Sequence, residues 1–417
     1  MKAEIIAVGS ELLTPYFQDT NSLFLTEKLN EAGFEVRFKT IVGDREEDIA
    51  EVFRNALGRS RLVIFSGGLG PTEDDLTRAA VARVLGCHLV LDTSILEGIE
   101  RKFASRGYSM PDINKRQAQV LVGAEVLENS RGTAPGLWLE EKGVFIALLP
   151  GPPREIKHMF QTEVLPRLQA LGGGRRVVRK TFSIAGMTES EVDARVAPIY
   201  KTYDRVQTTI LAGTSHISLH LSRWLDPGEE PSDLIELASR IQEALGSAIF
   251  TTENEPIEAV VGRMLRQAGS SLAVAESCTS GMVGAYLTRI PGSSSYFSGG
   301  VLCYSNKAKT DLCRVPEETL ERHGAVSGET AEALARGVRQ VLGSAIGLSV
   351  TGIAGPDGGS AEKPLGLVFV GLSDDNRDLH IRRVLPGDRD AVRERAAFFA
   401  LACLRRFLMP ESAAGKP

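Results

Sequence analysis

The sequence has little cysteine and no excess of positive charge, and each shortage argues against a class of protein. Five cysteines lie at positions 87, 278, 303, 313 and 403, and none of them forms a CxxC pair. Their odd number argues against a disulfide framework. The formal net charge is −5, which gives no support for a nucleic-acid-binding surface. We therefore expect no direct nucleic-acid partner.

Long apolar runs are also missing. The first residues, MKAEIIAVGSELL, contain no long apolar segment before Glu11, so no signal peptide is expected there. No run elsewhere is long enough to cross a bilayer as a helix. We therefore expect no membrane partner and a cytoplasmic location.

What is present is an ordinary globular composition over a long chain of 417 residues, 43% hydrophobic and 24% charged. This length predicts two or three domains. The strand-like runs KAEIIAVG, EVRFKTIV and RLVIF alternate with the helix-like runs SLFLTEKLNEAG and DREEDIAEVFRNAL. This alternation predicts a parallel sheet with helices on both sides. Asp44 and Glu47 have the spacing of a capping box at the start of the second helix.

Two further segments follow a glycine-rich stretch, LGGGRRVVRK, that is typical of a domain boundary. A small α+β unit comes next, with the alternating strand HISLHLS and the amphipathic helix LIELASRIQEAL. Strands and helices then alternate again. The predicted fold class is α/β, with two three-layer α/β domains joined by a small α+β domain. The predicted boundaries are 1–170, 175–252 and 256–412.

Polar stretches follow the first three strands, at the edge of the sheet where open α/β folds bind ligands. The stretch SGGLGPTEDD, residues 66–75, contains glycines that let a backbone approach an anion. Its adjacent carboxylates, Asp74 and Asp75, are of the kind that binds a hard divalent metal. A tight turn capped by aspartate is the alternative explanation of this stretch taken alone. Two other polar stretches, GSELLTPYFQDTN and VGD, add Asp19, Asn21 and Asp44.

A second polar turn, AESCTSG at residues 275–281, joins the strand-like run SLAV to the helix-like run MVGAYLTRI. It concentrates a carboxylate, hydroxyl groups and a thiol. Ser277 or Thr279 can be a plain helix N-cap, and a helix N-terminus is also an anion site. Cys278 is an alternative nucleophile, although no histidine in the neighbouring motifs is placed to activate it.

These motifs resemble the CinA family along the whole chain. GSELL, DTN, SGGLGPTEDDLT, GTAPG and LPGPPREI resemble its MoaB/MogA-like, molybdopterin-binding-type domain. That resemblance implies an ADP-ribose pyrophosphatase activity dependent on a divalent metal, Mg, Mn or Co. The implied metal-binding residues are Asp74, Asp75 and Asp44, and the implied phosphate-binding residues are Gly67, Gly68, Gly70 and Thr72. The run TPYFQ, with Pro15, departs from a family loop that commonly contains glycine. The resemblance therefore does not establish how a substrate would fit at this edge of the sheet.

The middle segment resembles the family's small KH-like domain. It lacks a GxxG loop, so the resemblance does not imply that this segment binds RNA.

The last segment resembles the PncC-type nicotinamide mononucleotide deamidases, which hydrolyse the carboxamide to nicotinate mononucleotide and ammonia without a cofactor. AESCTSG matches the family signature AESCTGG except that Ser280 replaces a glycine. The resemblance therefore does not fix the conformation of the turn or the residue at which the helix begins. Companion motifs lie at 292–309, 323–327, 350–359, 363–366 and 386–390.

The resemblance implies a Ser277–Lys309 dyad, in which a desolvated, neutral lysine takes the proton of the serine. Lys307 is the less favoured partner, because the lysine of the family motif is its last residue. Arg389 would meet the nucleotide phosphate. The other implied catalytic residues are Glu276, Tyr304 and Thr351, and the other implied substrate-binding residues are Ser294, Thr279 and Gly352.

Three classes of function follow. The first is a bifunctional enzyme whose small-molecule substrates are nicotinamide mononucleotide and ADP-ribose. The second is an enzyme with one inactive domain. The third is a non-catalytic protein of competence or DNA damage that acts through a protein partner. The resemblance also implies a homodimer.

Overall fold

A computed structural model describes residues 1–171 and 175–410. The described chain divides into two compact units. The first contains Met1–Val178 and Trp224–Glu230, and the second contains Arg179–Arg223 and the chain from Pro231 onward. Residues 172–174 of the predicted glycine-rich boundary, and residues 411–412 of the last predicted domain, lie outside the described residues.

The first unit is built around a six-stranded sheet with a small two-stranded sheet beside it. Its strands are β1 (Lys2–Val8), β2 (Glu35–Val42), β3 (Leu62–Ser66), β4 (Leu89–Leu91), β5 (Gln119–Leu121), β6 (Glu125–Leu127), β7 (Gly136–Glu141) and β8 (Val144–Leu149). The main sheet has the order β2-β1-β3-β8-β7-β6, and β4 pairs with β5.

The prediction of a parallel sheet is right for four strands and wrong for two. β2, β1, β3 and β8 run parallel, whereas β7 is antiparallel to both β8 and β6. Lys142 and Gly143 alone separate β7 from β8, and both have positive φ, 50° and 76°. A two-residue turn of this kind forms a hairpin, which forces the two strands to be antiparallel.

Helices cover both faces of this sheet. They are α1 (Thr20–Glu31), α2 (Glu46–Leu57), α3 (Thr77–Leu85), α4 (Thr93–Ala104), α5 (Pro153–Met159) and α6 (Leu165–Ala170). Ile5 and Ile64 pack with α1, α5 and α6, whereas Ile6 and Phe65 pack with α2 and α3. Because alternate residues of a strand point to opposite faces, these mostly apolar strands build two cores, and the predicted three-layer arrangement is confirmed.

The predicted capping box at Asp44 and Glu47 is wrong. Arg45 is the N-cap of α2 and makes no capping hydrogen bond through its side chain. Asp44 Oδ2 instead accepts a hydrogen bond of 2.7 Å from the backbone N–H of Ser10. This carboxylate therefore joins the loop after β2 to the loop after β1, at the carboxyl edge of the sheet.

The following segment forms the predicted small α+β arrangement. Its elements are β9 (Arg176–Ile184), α7 (Glu189–Tyr200), β10 (Gln207–Ala212), β11 (Ile217–Leu225), α8 (Ser232–Leu245) and β12 (Ile249–Thr251). The sheet order is β10-β11-β9-β12. β11 buries alternate residues, Ile217, Leu219 and Leu221 among them, as its sequence pattern predicts.

The last segment is a second α/β arrangement. Its elements are α9 (Ile257–Gln267), β13 (Leu272–Glu276), α10 (Met282–Thr288), β14 (Phe297–Leu302), α11 (Asn306–Cys313), α12 (Glu317–His323), α13 (Gly328–Leu342), β15 (Ile346–Gly352), β16 (Leu367–Ser373), β17 (Asp378–Val384) and α14 (Arg389–Phe407). The sheet order is β14-β13-β15-β16-β17.

β14, β13 and β15 run parallel, and β16 and β17 run antiparallel to their neighbours. One face of this sheet packs against α9, α10 and α14, and the other against α11 and α13. The carboxyl ends of the three parallel strands lie side by side. The polar stretches that follow them are therefore brought to one edge. None of the described helices has the length and apolar character needed to cross a membrane.

Candidate active sites

Ser277 and Lys309 are brought together at the carboxyl edge of the second α/β sheet. Ser277 directly follows β13, and its backbone N–H donates to Val350 O of β15 at 3.0 Å. Lys309 lies on α11, whose N-cap Ser305 accepts a hydrogen bond from the N–H of Ala308. Lys309 Nζ lies 3.2 Å from Ser277 Oγ.

Lys309 is buried, with only 1% of its surface exposed. Its other two hydrogen bonds go to backbone carbonyls, Cys303 O at 2.8 Å and Tyr304 O at 3.1 Å. Burial lowers the pKa of Lys309 below that of an ordinary lysine. A neutral amine has two N–H groups and one lone pair. In that neutral form the two N–H groups would donate to the two carbonyls, and the lone pair would be free to accept from the hydroxyl of Ser277.

A cavity of about 160 Å³ lies over this pair. The predicted site residues that line it are Ser277, Tyr304, Lys309, Thr351, Gly352 and Arg389. The other lining residues are Cys278, Ala325, Val326 and Ala354.

Arg389 supplies a positive charge at the cavity wall. It begins α14, and its guanidinium donates to Gly355 O at 2.5 Å and to Tyr304 Oη at 3.2 Å. Tyr304 is 63% exposed, so this pair lies toward solvent. A guanidinium at this position suits an anionic group of a ligand whose other end reaches Ser277.

Thr351 and Gly352 shape the cavity through backbone contacts. Thr351 is buried, and its Oγ1 donates to Ala325 O at 2.7 Å, which fixes the loop before α13. A Cβ at Gly352 would lie 2.7 Å from Leu367 O, so the backbone packing itself requires glycine.

Three predicted site residues are placed elsewhere. The buried Glu276 carboxylate accepts hydrogen bonds from the N–H groups of Gly281, Val283 and Gly284, at 2.9, 3.1 and 2.9 Å. It therefore caps α10 and positions the turn, rather than facing the cavity. Thr279 is fully buried away from the cavity lining, and Ser294 is exposed on a short turn outside it.

Cys278 is a poor nucleophile in this setting. Burial raises the pKa of its thiol to about 12, so the thiolate is scarce at neutral pH. Its carbonyl oxygen accepts a hydrogen bond of 3.2 Å from Nε of Arg393. Sequence reasoning missed Arg393. The sequence does place Arg393 four residues after Arg389, a spacing that puts both side chains on one face of a helix.

Ser280 keeps the predicted turn by adopting a left-handed conformation, with φ of 50°. A side chain disfavours this region by roughly 1–2 kcal/mol. We expect Ser280→Gly to raise the unfolding midpoint, because glycine relieves this strain. Ser298→Gly, in the extended strand β14, is the matched control and should lower it. Thermal unfolding of both variants checks this, and a Ser280→Gly variant less stable than the wild type would contradict it.

A second cavity, of about 630 Å³, lies at the carboxyl edge of the first sheet. Every site residue predicted for the first domain lines it: Asp44, Gly67, Gly68, Gly70, Thr72, Asp74 and Asp75. Asp19 and Asn21 line it as well. Glu155, on α5, is a lining residue that sequence reasoning missed, although it lies within the quoted motif LPGPPREI.

The glycines of this cavity are required by close backbone packing. Gly67 and Gly68 have φ of 106° and 68°. A Cβ at Gly67 would lie 2.2 Å from Val8 O, and one at Gly68 would lie 2.1 Å from Thr77 Oγ1. The loop can therefore lie directly against the end of β1 and the start of α3 only with glycine at these two positions.

The predicted metal-binding set does not fit a metal held by the protein alone. Asp75 Oδ1 accepts from the N–H of Gly70 at 2.7 Å, and Oδ2 accepts from the N–H and hydroxyl of Thr72 at 2.8 and 2.5 Å. Asp44 is engaged with Ser10. Within residues 1–171 and 175–410, no three His, Cys, Asp or Glu side chains are grouped to hold a metal ion. Asp75 instead holds the glycine-rich loop in shape.

Asp75→Asn tests this loop-holding role. An amide keeps the size of the carboxylate but weakens charge-assisted hydrogen bonds that contribute about 1.5–3 kcal/mol each. We expect a lower unfolding midpoint for the first unit and at least tenfold weaker ligand binding in its cavity, with the second unit unaffected. Asp74→Asn is the control for the unfolding midpoint, because Asp74 lines the same cavity but is exposed. Equal effects of the two substitutions would contradict the assignment.

Two family models match the chain. The "Probable molybdopterin binding domain" matches residues 4–170, and the "CinA C-terminal domain" matches residues 254–408. The chain is similar to CinA-like proteins of Koribacter versatilis, 46% identical over 98% of this chain and 100% of that one, and of Kosmotoga olearia, 40% identical over 98% and 100%. It is also similar to the solved structure of the competence/damage inducible protein CihA from Agrobacterium tumefaciens, 39% identical over 36% of this chain and 93% of that one, with a TM-score of 0.34.

Proposed function

The chain belongs to the CinA family, and from that premise we propose that its last domain hydrolyses the carboxamide of nicotinamide mononucleotide to nicotinate mononucleotide and ammonia. One observation carries this proposal: a buried lysine amine, free of carboxylate partners in the described structure, lies 3.2 Å from the hydroxyl of Ser277. Amide hydrolysis needs a nucleophile and a base in this relation.

The reaction would run through a covalent acyl-enzyme. Lys309 Nζ takes the proton of Ser277 as Oγ attacks the carboxamide carbon. The resulting ammonium then donates that proton to the departing nitrogen, and ammonia leaves. A water molecule, deprotonated by the same amine, hydrolyses the ester and restores Ser277. Arg389 would hold the phosphate of the substrate at the outer end of the cavity.

The direct test is to incubate the full chain with nicotinamide mononucleotide and to measure ammonia and nicotinate mononucleotide together. We expect equal amounts of both products. Nicotinamide riboside, which lacks the phosphate, is the comparison substrate and should react with a higher KM, because Arg389 would have no anion to bind. Folded protein that releases no ammonia from either compound would reject the proposal.

We also propose that the first domain cleaves ADP-ribose to AMP and ribose 5-phosphate. The supporting observation is the 630 Å³ cavity, walled by the glycine-rich loop at the ligand-binding edge of the sheet. AMP release, measured with Mg, Mn or Co and again with EDTA, tests both the activity and its expected metal dependence. A chain active on one substrate alone would be the single-activity alternative. A chain active on neither substrate would favour the third alternative, a non-catalytic protein of competence or DNA damage that acts through a protein partner.

A homodimer in the cytoplasm is part of this proposal. All five cysteines are free, which suits a reducing compartment. Light scattering of the purified chain tests the dimer, and fractionation of the producing cells tests the location.

A further inference from the structure

Arg393 contacts the backbone of the turn that carries the proposed nucleophile. It lies on α14, and its Nε donates to Cys278 O at 3.2 Å. Cys278 directly follows Ser277, so this bond holds the chain one residue beyond the nucleophile. Arg393 Nη1 also lies 3.4 Å from Asp390 Oδ1, but the side chain of Asp390 is 90% exposed, and an ion pair in water contributes little. The contact with the turn is therefore the one through which Arg393 can act on the site.

The two sides of Ser277 are fixed by different elements. On the side of β13, the backbone N–H of Ser277 donates to Val350 O of β15 at 3.0 Å. On the other side the chain leaves the sheet, and α14 holds the carbonyl of Cys278 through Arg393. Because a peptide group is planar, holding this carbonyl also sets the direction of the N–H of Thr279. The backbone orientation around the nucleophile therefore depends on α14 as well as on the sheet.

The same helix carries the positive charge of the cavity wall. Arg389 lines the cavity and is the first residue of α14. Arg393 follows one helical turn later, on the same face. The backbone hydrogen bonds of a helix keep two successive turns at a fixed spacing. Arg393 does not itself line the cavity, so it acts on the site by holding the turn rather than by contacting a ligand.

α14 is anchored along its length by contacts away from the cavity. Arg395 Nε donates to Thr214 O at 2.8 Å. The buried Arg405 donates to Ser247 O and Ile249 O, at 2.9 and 2.6 Å. The apolar face of the helix packs into the core of the last α/β sheet. The helix is therefore a stable frame for the two arginines near its start.

We propose that Arg393 is a positioning residue that couples the binding of a substrate's anionic group at Arg389 to the attack of Ser277. The inference rests on the proposed deamidase function. An anion held by Arg389 fixes one end of the substrate relative to α14, and Arg393 fixes the turn of the nucleophile relative to the same helix. The binding energy of the phosphate is then used to align the carboxamide with Ser277 Oγ, which raises kcat as well as lowering KM.

Steady-state deamidation of nicotinamide mononucleotide and of nicotinamide riboside by the full chain tests this coupling. We expect the wild type to have a kcat at least about tenfold higher for the mononucleotide, because a misplacement of about 1 Å costs up to about 10²-fold. In Arg393→Met, which keeps the apolar stem of the side chain, this ratio should fall towards one. The KM for the mononucleotide should change by less than about threefold, because Arg389 still binds the phosphate.

Arg395→Met is the matched control. It removes another arginine of α14 whose hydrogen bonds go to backbone carbonyls, those of Thr214 and Pro386, and not to the turn. Its ratio of kcat values should match that of the wild type. If Arg393→Met does not fold, Arg393→Lys serves in its place, because lysine keeps the charge and the stem but lacks the planar guanidinium. Its ratio should then lie below that of the wild type.

Three results would overturn the inference: equal kcat values of the wild type for the two substrates, a loss of kcat in Arg393→Met that is the same for both, or an equal fall of the ratio in Arg395→Met. The second of these would make Arg393 a structural residue only. The proposed function fails separately. Folded wild type that releases no ammonia from either compound rejects the deamidase, whereas ammonia release with an unchanged ratio in Arg393→Met rejects the coupling alone.

Discussion

Ser277→Ala should abolish ammonia release from nicotinamide mononucleotide while leaving any AMP release from ADP-ribose intact. Among the described residues, the hydroxyl of Ser277 is the one hydrogen-bond partner of Lys309 Nζ that can act as a nucleophile, since the other partners are the carbonyl oxygens of Cys303 and Tyr304. Loss of a nucleophile in a serine hydrolase lowers kcat by about 10⁴-fold or more. Steady-state assays of both reactions, on the same preparation, measure the effect.

The neighbouring thiol provides the matched control. Cys278→Ser changes a single atom in the same turn, and we expect it to keep kcat within about tenfold, because the buried thiol is not ionised at neutral pH. Unfolding midpoints of both variants should stay close to that of the wild type. Near-full deamidation by Ser277→Ala would remove Ser277 from the mechanism, and loss of deamidation in a folded Cys278→Ser variant would assign a role to the thiol.

The layered fold was largely predictable, because its buried strands are mostly apolar and several of its helices are amphipathic. RLVIF and SLAV are recognisable since both faces of their sheets are covered. The antiparallel pairing of β7 with β8 was not predicted, because it depends on the backbone of Lys142 and Gly143. Lysine rarely adopts a positive φ, so the sequence EKG gives a weak turn signal.

The resemblance assigned Ser277 and Lys309 as a pair, and the topology explains why these two residues lie close together. Ser277 and Lys309 are 32 positions apart, but one follows β13 and the other follows β14. Parallel strands that are neighbours in a sheet bring their following loops together. Residue chemistry alone left Ser277 and Cys278 both open, and the resemblance favoured the serine. The structure adds the physical distinction, which is the contact with Lys309 together with the raised pKa of the thiol.

Glu276 and Asp75 show why the remaining site residues could not be assigned from sequence. A carboxylate in a strand-to-helix turn can face a ligand or bind backbone N–H groups, and composition does not distinguish the two. Glu276 binds three N–H groups because Ser280 and Gly281, both with positive φ, turn the start of α10 back toward it. Asp75 binds Gly70 and Thr72 for the equivalent reason. Both depend on backbone angles that the sequence pattern does not specify.

Lys309→Met should lower kcat for deamidation by about 10²–10⁴-fold, the usual contribution of a positioned general base. Methionine has a similar length and suits a buried position, so the fold should persist. Lys307→Met is the control, because Lys307 is exposed and pairs with Asp311 at 2.7 Å; its activity should be unchanged.

The pH dependence of deamidation distinguishes a Lys309 that acts as a general base from a Lys309 that is only structural. Burial lowers the pKa of Lys309 below the usual lysine value of 10.5, and only the neutral amine can accept the proton of Ser277. Activity should therefore rise as pH increases through this lowered pKa, reaching half its maximum below pH 10.5. Lys309→Arg should stay inactive across that range, since a guanidinium remains protonated. A flat wild-type profile up to pH 10, or an active Lys309→Arg variant, would show that Lys309 is not the base.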